Sequence, residues 1–274
     1  MSTKFDLAFH DAKTHARACY PQESCGIIVD CQYIAFENKA APIEQHEENN
    51  PNCNCKLCSF KLDDKQYAYH LTQGEIQFIV HSHPDGQAAP SQADMEGQIQ
   101  TDVAWAIIAL DAENTFEPIK WGEKDYIPPL IGRSFIHGVT DCYSILRDCF
   151  RLGKEKLAEQ GITDWPYEPI ELDEFPRSDE WWRGTQDLYT DNFKTQGFVE
   201  IPFTDARIGD CFLMKIRCDK YNHAGILIND GLILHHLPLR LSRREPAGLW
   251  GRQAALWIRY QGKEIQGQQE VADA

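Results

Sequence analysis

The sequence predicts a two-domain protein of mixed helices and strands, α+β in its second half. Three observations carry this. Residues 3–18 hold Phe5, Ala8, Phe9, Ala12 and Ala16 at helical spacing, and short apolar runs of strand character follow. Residues 120–138, KWGEKDYIPPLIGRSFIHG, carry paired prolines and glycines with few periodic apolar positions, as a connection between domains does. Beyond them, helical patterns come first and strand-like runs after, the order of an α+β domain. The chain has 274 residues, 42% of them apolar, which suffices for two modest cores. We therefore expect a first domain over 1–122, a linker over 123–136, a second domain over 137–260 and a frayed tail over 261–274.

In the first domain, CGIIVD (25–30) and YIAFEN (33–38) read as strands, residues 44–58 as a polar loop, and EIQFIV (75–80) as a further strand. Ser91 then caps a helix whose first turn holds Asp94 and Glu96, and AWAIIAL reads as the next strand. In the second domain, apolar residues at 142, 145, 146, 149, 150 and 152 predict an amphipathic helix, and 179–196 predicts another. GFVEI, GDCFLMKI, HAGILIND and GLILHHLPL, parted by turn residues, predict a small antiparallel sheet.

A formal net charge of −15 argues against nucleic acid or an anionic membrane surface as partner. The first twenty residues contain no apolar core of a signal peptide, and the longest clean apolar run, VAWAIIAL (103–110), is far too short to span a bilayer. The expectation is a chain made in the cytoplasm without membrane insertion. Its ten cysteines then stand as thiols or metal ligands rather than disulfides.

FIVHSHPDGQAAPSQAD (78–94) carries the first chemistry. His81 and His83 sit at i and i+2 of a strand, so both imidazoles point one way. Asp94, delivered by the capped helix start, supplies a third ligand. Two imidazoles and one carboxylate with a fourth position open make a catalytic zinc site. Glu23, in YPQESCGIIV, is the candidate general base, and Ser91 a candidate donor to a developing oxyanion. The bland alternative is a strand that ends in a turn and a well-capped helix. A glutamate upstream, then His81-Ser82-His83-Pro84, then Ser91 and Asp94, resembles the JAMM motif of the MPN/Mov34 metallopeptidases over residues 5–120. The resemblance implies a cytidine-deaminase-like fold and a zinc-dependent isopeptidase-type centre. It puts Zn2+ on His81, His83 and Asp94, with Glu23 as acid/base and Ser91 as transition-state donor.

CNCKLC offers Cys53, Cys55 and Cys58, with His46 and Cys31 as alternative fourth ligands for a structural zinc. The spacing lacks a second paired knuckle, so the favoured reading is a loop with free cysteines.

In the second domain, Cys142 opens the amphipathic helix, where a helix N-terminus lowers a thiol pKa. His223 opens the strand HAGILI and is the candidate base. His235 or His236 is the third member. A two-residue Asp-Gly turn aims His236 at His223, whereas a three-residue Asn-Asp-Gly loop aims His235. DCYSILRD, RIGDCFLM, HAGILI and ILHH in this order resemble the NlpC-type papain-like cysteine peptidases over 133–258, apart from Tyr143-Ser144 after the cysteine. That spacing selects His235. The resemblance implies cleavage of γ-D-glutamyl to diamino-acid bonds in peptidoglycan. Trp181, Trp182 and Tyr189 are candidates to line the groove or simply to pack the core.

The order of the two domains, with GVTDCYSILRD and a DEWWRG segment, resembles the tail assembly protein K family of lambda-like tailed phages. It implies a protein made in the host cytoplasm and carried in the tail or an assembly intermediate. Its partners would be other phage tail proteins and the peptides of the bacterial cell wall. Two rivals stand beside this reading: a structural assembly module with one or both centres idle, and a metallopeptidase that removes ubiquitin-like modifiers.

Overall fold

The computed structural model describes residues 4–48, 50 and 53–263, and the chain divides into two compact units between Tyr126 and Ile127. No helix among the described residues is long and apolar enough to cross a membrane.

The first unit runs α1 (Asp6–Cys19), β1 (Cys25–Val29), β2 (Gln32–Phe36), α2 (Asp64–Gln73), β3 (Ile76–Pro84), α3 (Gln92–Thr101), β4 (Ala104–Leu110) and β5 (Ile119–Trp121). Its sheet has the order β2-β1-β3-β4-β5. The β3–β4 pair is parallel, so the chain must cross over between them, and α3 makes that crossing. The stripe Ala8, Phe9, Ala12 and Ala16 of α1 buries against Phe78, Val80, Ala106 and Ile108. Strand alternation therefore turns Ile79, His81 and His83 to the opposite face. β3 runs on past the expected EIQFIV and carries both histidines as strand residues.

The second unit runs α4 (Cys142–Glu159), α5 (Leu188–Asn192), β6 (Phe198–Ile201), β7 (Cys211–Met214), β8 (His223–Ile228), β9 (Leu232–His235), β10 (Arg243–Pro246), α6 (Ala247–Gln253) and β11 (Leu256–Tyr260). The six strands pair antiparallel in the order β10-β9-β8-β7-β11-β6. One face of this sheet takes Ile145, Leu146, Cys149 and Phe150 of α4. The helix breaks at Gly153 (φ 65°), where Pro169 packs so close that a Cβ would lie 2.5 Å from its nitrogen.

Five elements exceed the sequence reading: α2, β5, β10, α6 and β11. One falls short of it. Residues 179–196 form no continuous helix, only a 3-10 turn at Trp181–Arg183 and the five-residue α5. Trp181 turns into the core, Glu180 takes a left-handed φ of 55°, and Asp187 starts a new helix by accepting from Thr190 N–H. Burial of the aromatic ring overrides the weak periodicity. Residues 127–136, read as linker, pack into the second unit. Leu130 is fully buried, and Arg133 donates to Pro128 O and Asp148. The expected tail lies outside the described residues from 264 onward.

Candidate functional site

The first unit gathers His81, His83 and Asp94 on the face turned away from α1. His81 Nε2 lies 3.1 Å from His83 Nε2 and 3.2 Å from Asp94 Oδ1, and His83 Nε2 lies 3.4 Å from Asp94 Oδ2. A tetrahedral zinc with bonds of about 2.0–2.1 Å has ligand edges of about 3.3 Å, so this donor set fits the ion. His83 Nδ1 faces Gln87 O at 2.9 Å. A carbonyl only accepts, so Nδ1 carries the proton and Nε2 presents its lone pair. His81 is wholly buried, its ring stacked on Phe60 at 4.4 Å and 22°, with the Trp105 edge beside it. Burial alone would raise the Asp94 carboxyl, but the two imidazoles hold it well below the ordinary carboxylate range.

Glu23 and Asp94 line one cavity of about 690 Å³. Burial pushes the Glu23 carboxyl up to about 8, with Asp94 adding to the rise and His83 opposing it. Such a group can hold and release a proton near neutral pH. Its place is set from β3: Ser82 is hydrogen-bonded to Ser24, the residue after Glu23. Ser91 fulfils the cap reading in full. It accepts from Asp94 N–H at 3.1 Å, and its hydroxyl donates to Asp94 Oδ2 at 2.7 Å. That hydroxyl proton is therefore engaged with the carboxylate here rather than free for an oxyanion.

In the second unit, the turn between β8 and β9 has three residues, Asn229–Gly231, with Asp230 and Gly231 left-handed. Ile228 pairs with Leu232 and Gly225 with His235. This parity brings His235 Nδ1 to 3.2 Å from His223 Nε2 and turns His236 away to Arg240 O. Gly225 lets the Phe212 ring and the His235 backbone end approach: a Cβ there would meet the Phe212 ring at 2.5 Å and His235 Cβ at 2.9 Å. Behind His235 stands Glu245, 3.5 Å from its Nε2. Trp250 Nε1 donates to Glu245 Oε2 at 2.6 Å, and Arg243 pairs with its other oxygen. A carboxylate only accepts, so neutral His235 carries its proton on Nε2 and accepts at Nδ1. His223 must then donate from Nε2, which leaves its Nδ1 as the basic nitrogen.

Cys142 and His223 line one cavity of about 670 Å³. Among the described residues no hydrogen bond joins them. Cys142 Sγ pairs instead with Tyr189 Oη at 3.3 Å and lies 4.0 Å from Asn222 O. The expected lowering of the thiol is not found. Burial pushes it up to about 11, and the Asp141 carboxylate beside it adds to the rise. Asp141 is the helix cap: it accepts from Tyr143 N–H, Ser144 N–H, Gly138 N–H and the buried Arg177 guanidinium. The helix N-terminus thus spends its positive end on a carboxylate instead of on sulfur. Burial, with the neighbouring imidazoles, pulls His223 down to about 3. Both partners of the pair are accordingly neutral at pH 7. Cys149 is fully buried in the core as a small apolar residue. Trp181 and Tyr189 are buried, and both also border the cavity.

A third group forms where the sequence favoured a plain loop. His46, Cys53, Cys55 and Cys58 each offer a ligand atom within 4.8 Å of the others, while Cys31 stands apart near Gln77. Arg177, Glu245 and Trp250 escaped the sequence reading. Glu245 lies on a polar edge strand ending in proline, which carries no pattern of its own.

Residues 8–121 match the family described as prokaryotic homologs of the JAB domain. The chain is 37% identical over 187 residues to the tail tip assembly protein K of Escherichia phage lambda, which covers 68% of this chain and 82% of that protein. It is 30% identical over 264 residues to the tail tip assembly protein K of Escherichia phage N15, covering 92% and 93%. The chain belongs to the tail tip assembly protein K family and carries a JAB-like domain in its N-terminal region.

Proposed function

We propose that this protein works with other phage tail proteins in building the tail tip, and that it carries two hydrolytic centres. The first, His81, His83, Asp94, Glu23 and Ser91, is a zinc-dependent isopeptidase-type centre. When bound, zinc supplies Lewis acidity and acidifies water. Glu23, whose carboxyl can hold and release a proton near neutral pH, would be the group that moves a proton from an attacking water to the leaving amine. The second is a cysteine endopeptidase on an NlpC-type, papain-like unit, directed at the D-glutamyl to diamino-acid bond of peptidoglycan. Cys142 sulfur attacks the carbonyl while His223 takes its proton. His223 returns that proton to the leaving amine, and water then releases the acyl group.

The observation that carries this reading is the 3.2 Å pairing of His223 Nε2 with His235 Nδ1, His223 being the member that lines a cavity together with Cys142. A buried histidine pair beside a thiol has no need to exist for packing alone. The test is mass analysis of muropeptides incubated with the protein, with and without a chelator. Cleavage that survives chelation and vanishes in Cys142→Ala supports the cysteine centre. Cleavage retained in Cys142→Ala sinks it.

One observation favours a second reading, that of an assembly module with an idle cysteine centre. The thiol is held protonated and paired with Tyr189 rather than His223. If the wild-type protein digests no murein while Cys142→Ala still assembles tails, this reading stands.

A further inference from the structure

The segment between β2 and α2 has almost no core of its own. Over residues 39–63, Cys55 is the one buried side chain among the described residues, and the sole regular element is a 3-10 turn at Ile43–Gln45. A stretch this long ordinarily needs a cross-link or a metal to hold one shape. No disulfide supplies it, since Cys53, Cys55 and Cys58 are free.

What holds it is visible in four converging donors. His46 Nδ1 lies 3.6, 3.4 and 3.5 Å from the sulfurs of Cys53, Cys55 and Cys58. Cys55 Sγ lies 3.5 Å from Cys53 Sγ and 3.9 Å from Cys58 Sγ. A tetrahedral zinc with Zn–S of about 2.3 Å and Zn–N of about 2.0–2.1 Å has S···N edges of about 3.6 Å and S···S edges of about 3.8 Å. The observed separations are those of a closed Cys3His shell. We propose that His46, Cys53, Cys55 and Cys58 bind a structural zinc ion, separate from the His81–His83–Asp94 centre, that fixes this segment as one wall of that centre. On binding, the three thiols release their protons and His46 keeps its own on Nε2.

The wall is direct. Glu23 N–H donates to Lys56 O at 2.8 Å. Asn38 Nδ2 bridges Glu23 O and Ser59 O, each at 3.0 Å. Phe60, two residues past Cys58, is the ring stacked on His81. The Cys3His knot therefore anchors both the strand entry that carries Glu23 and the aromatic cover of a candidate ligand. It shares no ligand with the first centre, so the two can be lost independently.

The test is metal content of the full chain, with cobalt as spectroscopic probe. Two zinc ions per chain are expected. Cys55→Ser should remove one and leave the other. His81→Ala with His83→Ala should remove the other and leave the first. Cobalt(II) in the wild-type protein should show the strong near-ultraviolet thiolate charge-transfer band. That band should persist in the double histidine variant and vanish in Cys55→Ser. The wild-type spectrum needs no variant to fold. Its absence, with three freely titrating thiols at these positions, would overturn the proposal. So would a disulfide among Cys53, Cys55 and Cys58 in protein purified under reduction. Loss of the histidine-held ion alone would count against the first centre and leave the knot standing.

Discussion

Ser24 and Ser82 hold each other by two hydrogen bonds: Ser24 N–H donates to Ser82 Oγ at 2.8 Å, and Ser82 N–H donates to Ser24 O at 3.1 Å. Ser82 stands between the two histidines with its side chain on the other face of β3, so the strand that aims His81 and His83 also clamps the entry to β1 and, with it, Glu23. Ser82→Ala should leave the buried Ser24 N–H unpaired. We expect a loss of about 1–3 kcal/mol in urea unfolding with zinc content unchanged. An unshifted midpoint would refute the clamp.

Gly225 leaves room first for the Phe212 ring and then for His235 Cβ. Gly225→Ala should push on the Phe212 ring and on His235 Cβ, shift the imidazole through its Cβ, and cost about 1–3 kcal/mol of stability through overpacking. Murein cleavage should fall much further than stability does, with zinc content unaffected. Full cleavage by a destabilised variant would show that His235 has room to spare.

Glu245 fixes which nitrogen of His235 carries the proton, and so, one step on, which nitrogen of His223 is basic. Glu245→Gln can donate as well as accept and frees that choice. The expected effect is a fall in kcat on the order of tenfold to a hundredfold with KM little changed. Glu245→Asp should recover part of it. An equal loss in both variants would mark Glu245 as merely structural.

The Cys142 thiol, pushed up to about 11, should be a slow nucleophile toward a simple alkylating reagent at pH 7. Because the thiolate reacts and the thiol does not, modification of the Cys142 peptide should speed up about tenfold per pH unit between 7 and 10. Mass spectrometry of the digested protein measures it. A rate already flat above pH 7 would mean a preformed thiolate.

Asp141 is depressed well below the ordinary carboxylate value: burial opposes its charge, and Arg177, His137 and two backbone N–H groups overcome it. A depressed carboxyl contributes stability that is complete above its unfolded pKa of about 3.9. That stability drains away as pH falls toward the folded value. Stability should therefore drop steeply below pH 4 in the wild type and less steeply in Asp141→Asn. At pH 7 the variant should lose about 3–5 kcal/mol, since it strips a buried guanidinium of a charge partner. Parallel acid curves for the two proteins would exclude the linkage.

The sequence reveals much of this because some geometry is local. An H-x-H pair on a strand shares a face whatever surrounds it, and Ser91 with Asp94 writes a capping box into four residues. His235 against His236 was a question of turn length, and the pairing of Ile228 with Leu232 answers it through neighbouring strands. Arg177 reaches Asp141 from 36 residues away and Tyr189 reaches Cys142 from 47, both through packing, while Glu245 reaches His235 through the pairing of neighbouring strands. The Cys142 thiol shows the limit best. The helix start was legible, but not the desolvation that reverses its effect, which depends on every neighbour at once. His46 stands as a candidate beside Cys31, and only the folded loop, which has no periodicity to read, selects it as the cluster's neighbour.

With its sulfur 3.5 and 3.9 Å from those of Cys53 and Cys58, Cys55 makes the cluster a hazard as well as a ligand set. A disulfide needs its sulfurs at about 2.0 Å, a small move for a loop with so little core. Bare, the cluster would oxidise in air or in any compartment without a thiol buffer, and Cys55 would be dragged toward one neighbour. Phe60 and the Glu23 backbone, tied to the same segment, would shift with it. Ion occupancy at the knot thus works as rust-proofing, and sets how long a centre that contains no cysteine keeps its shape outside a reducing cell.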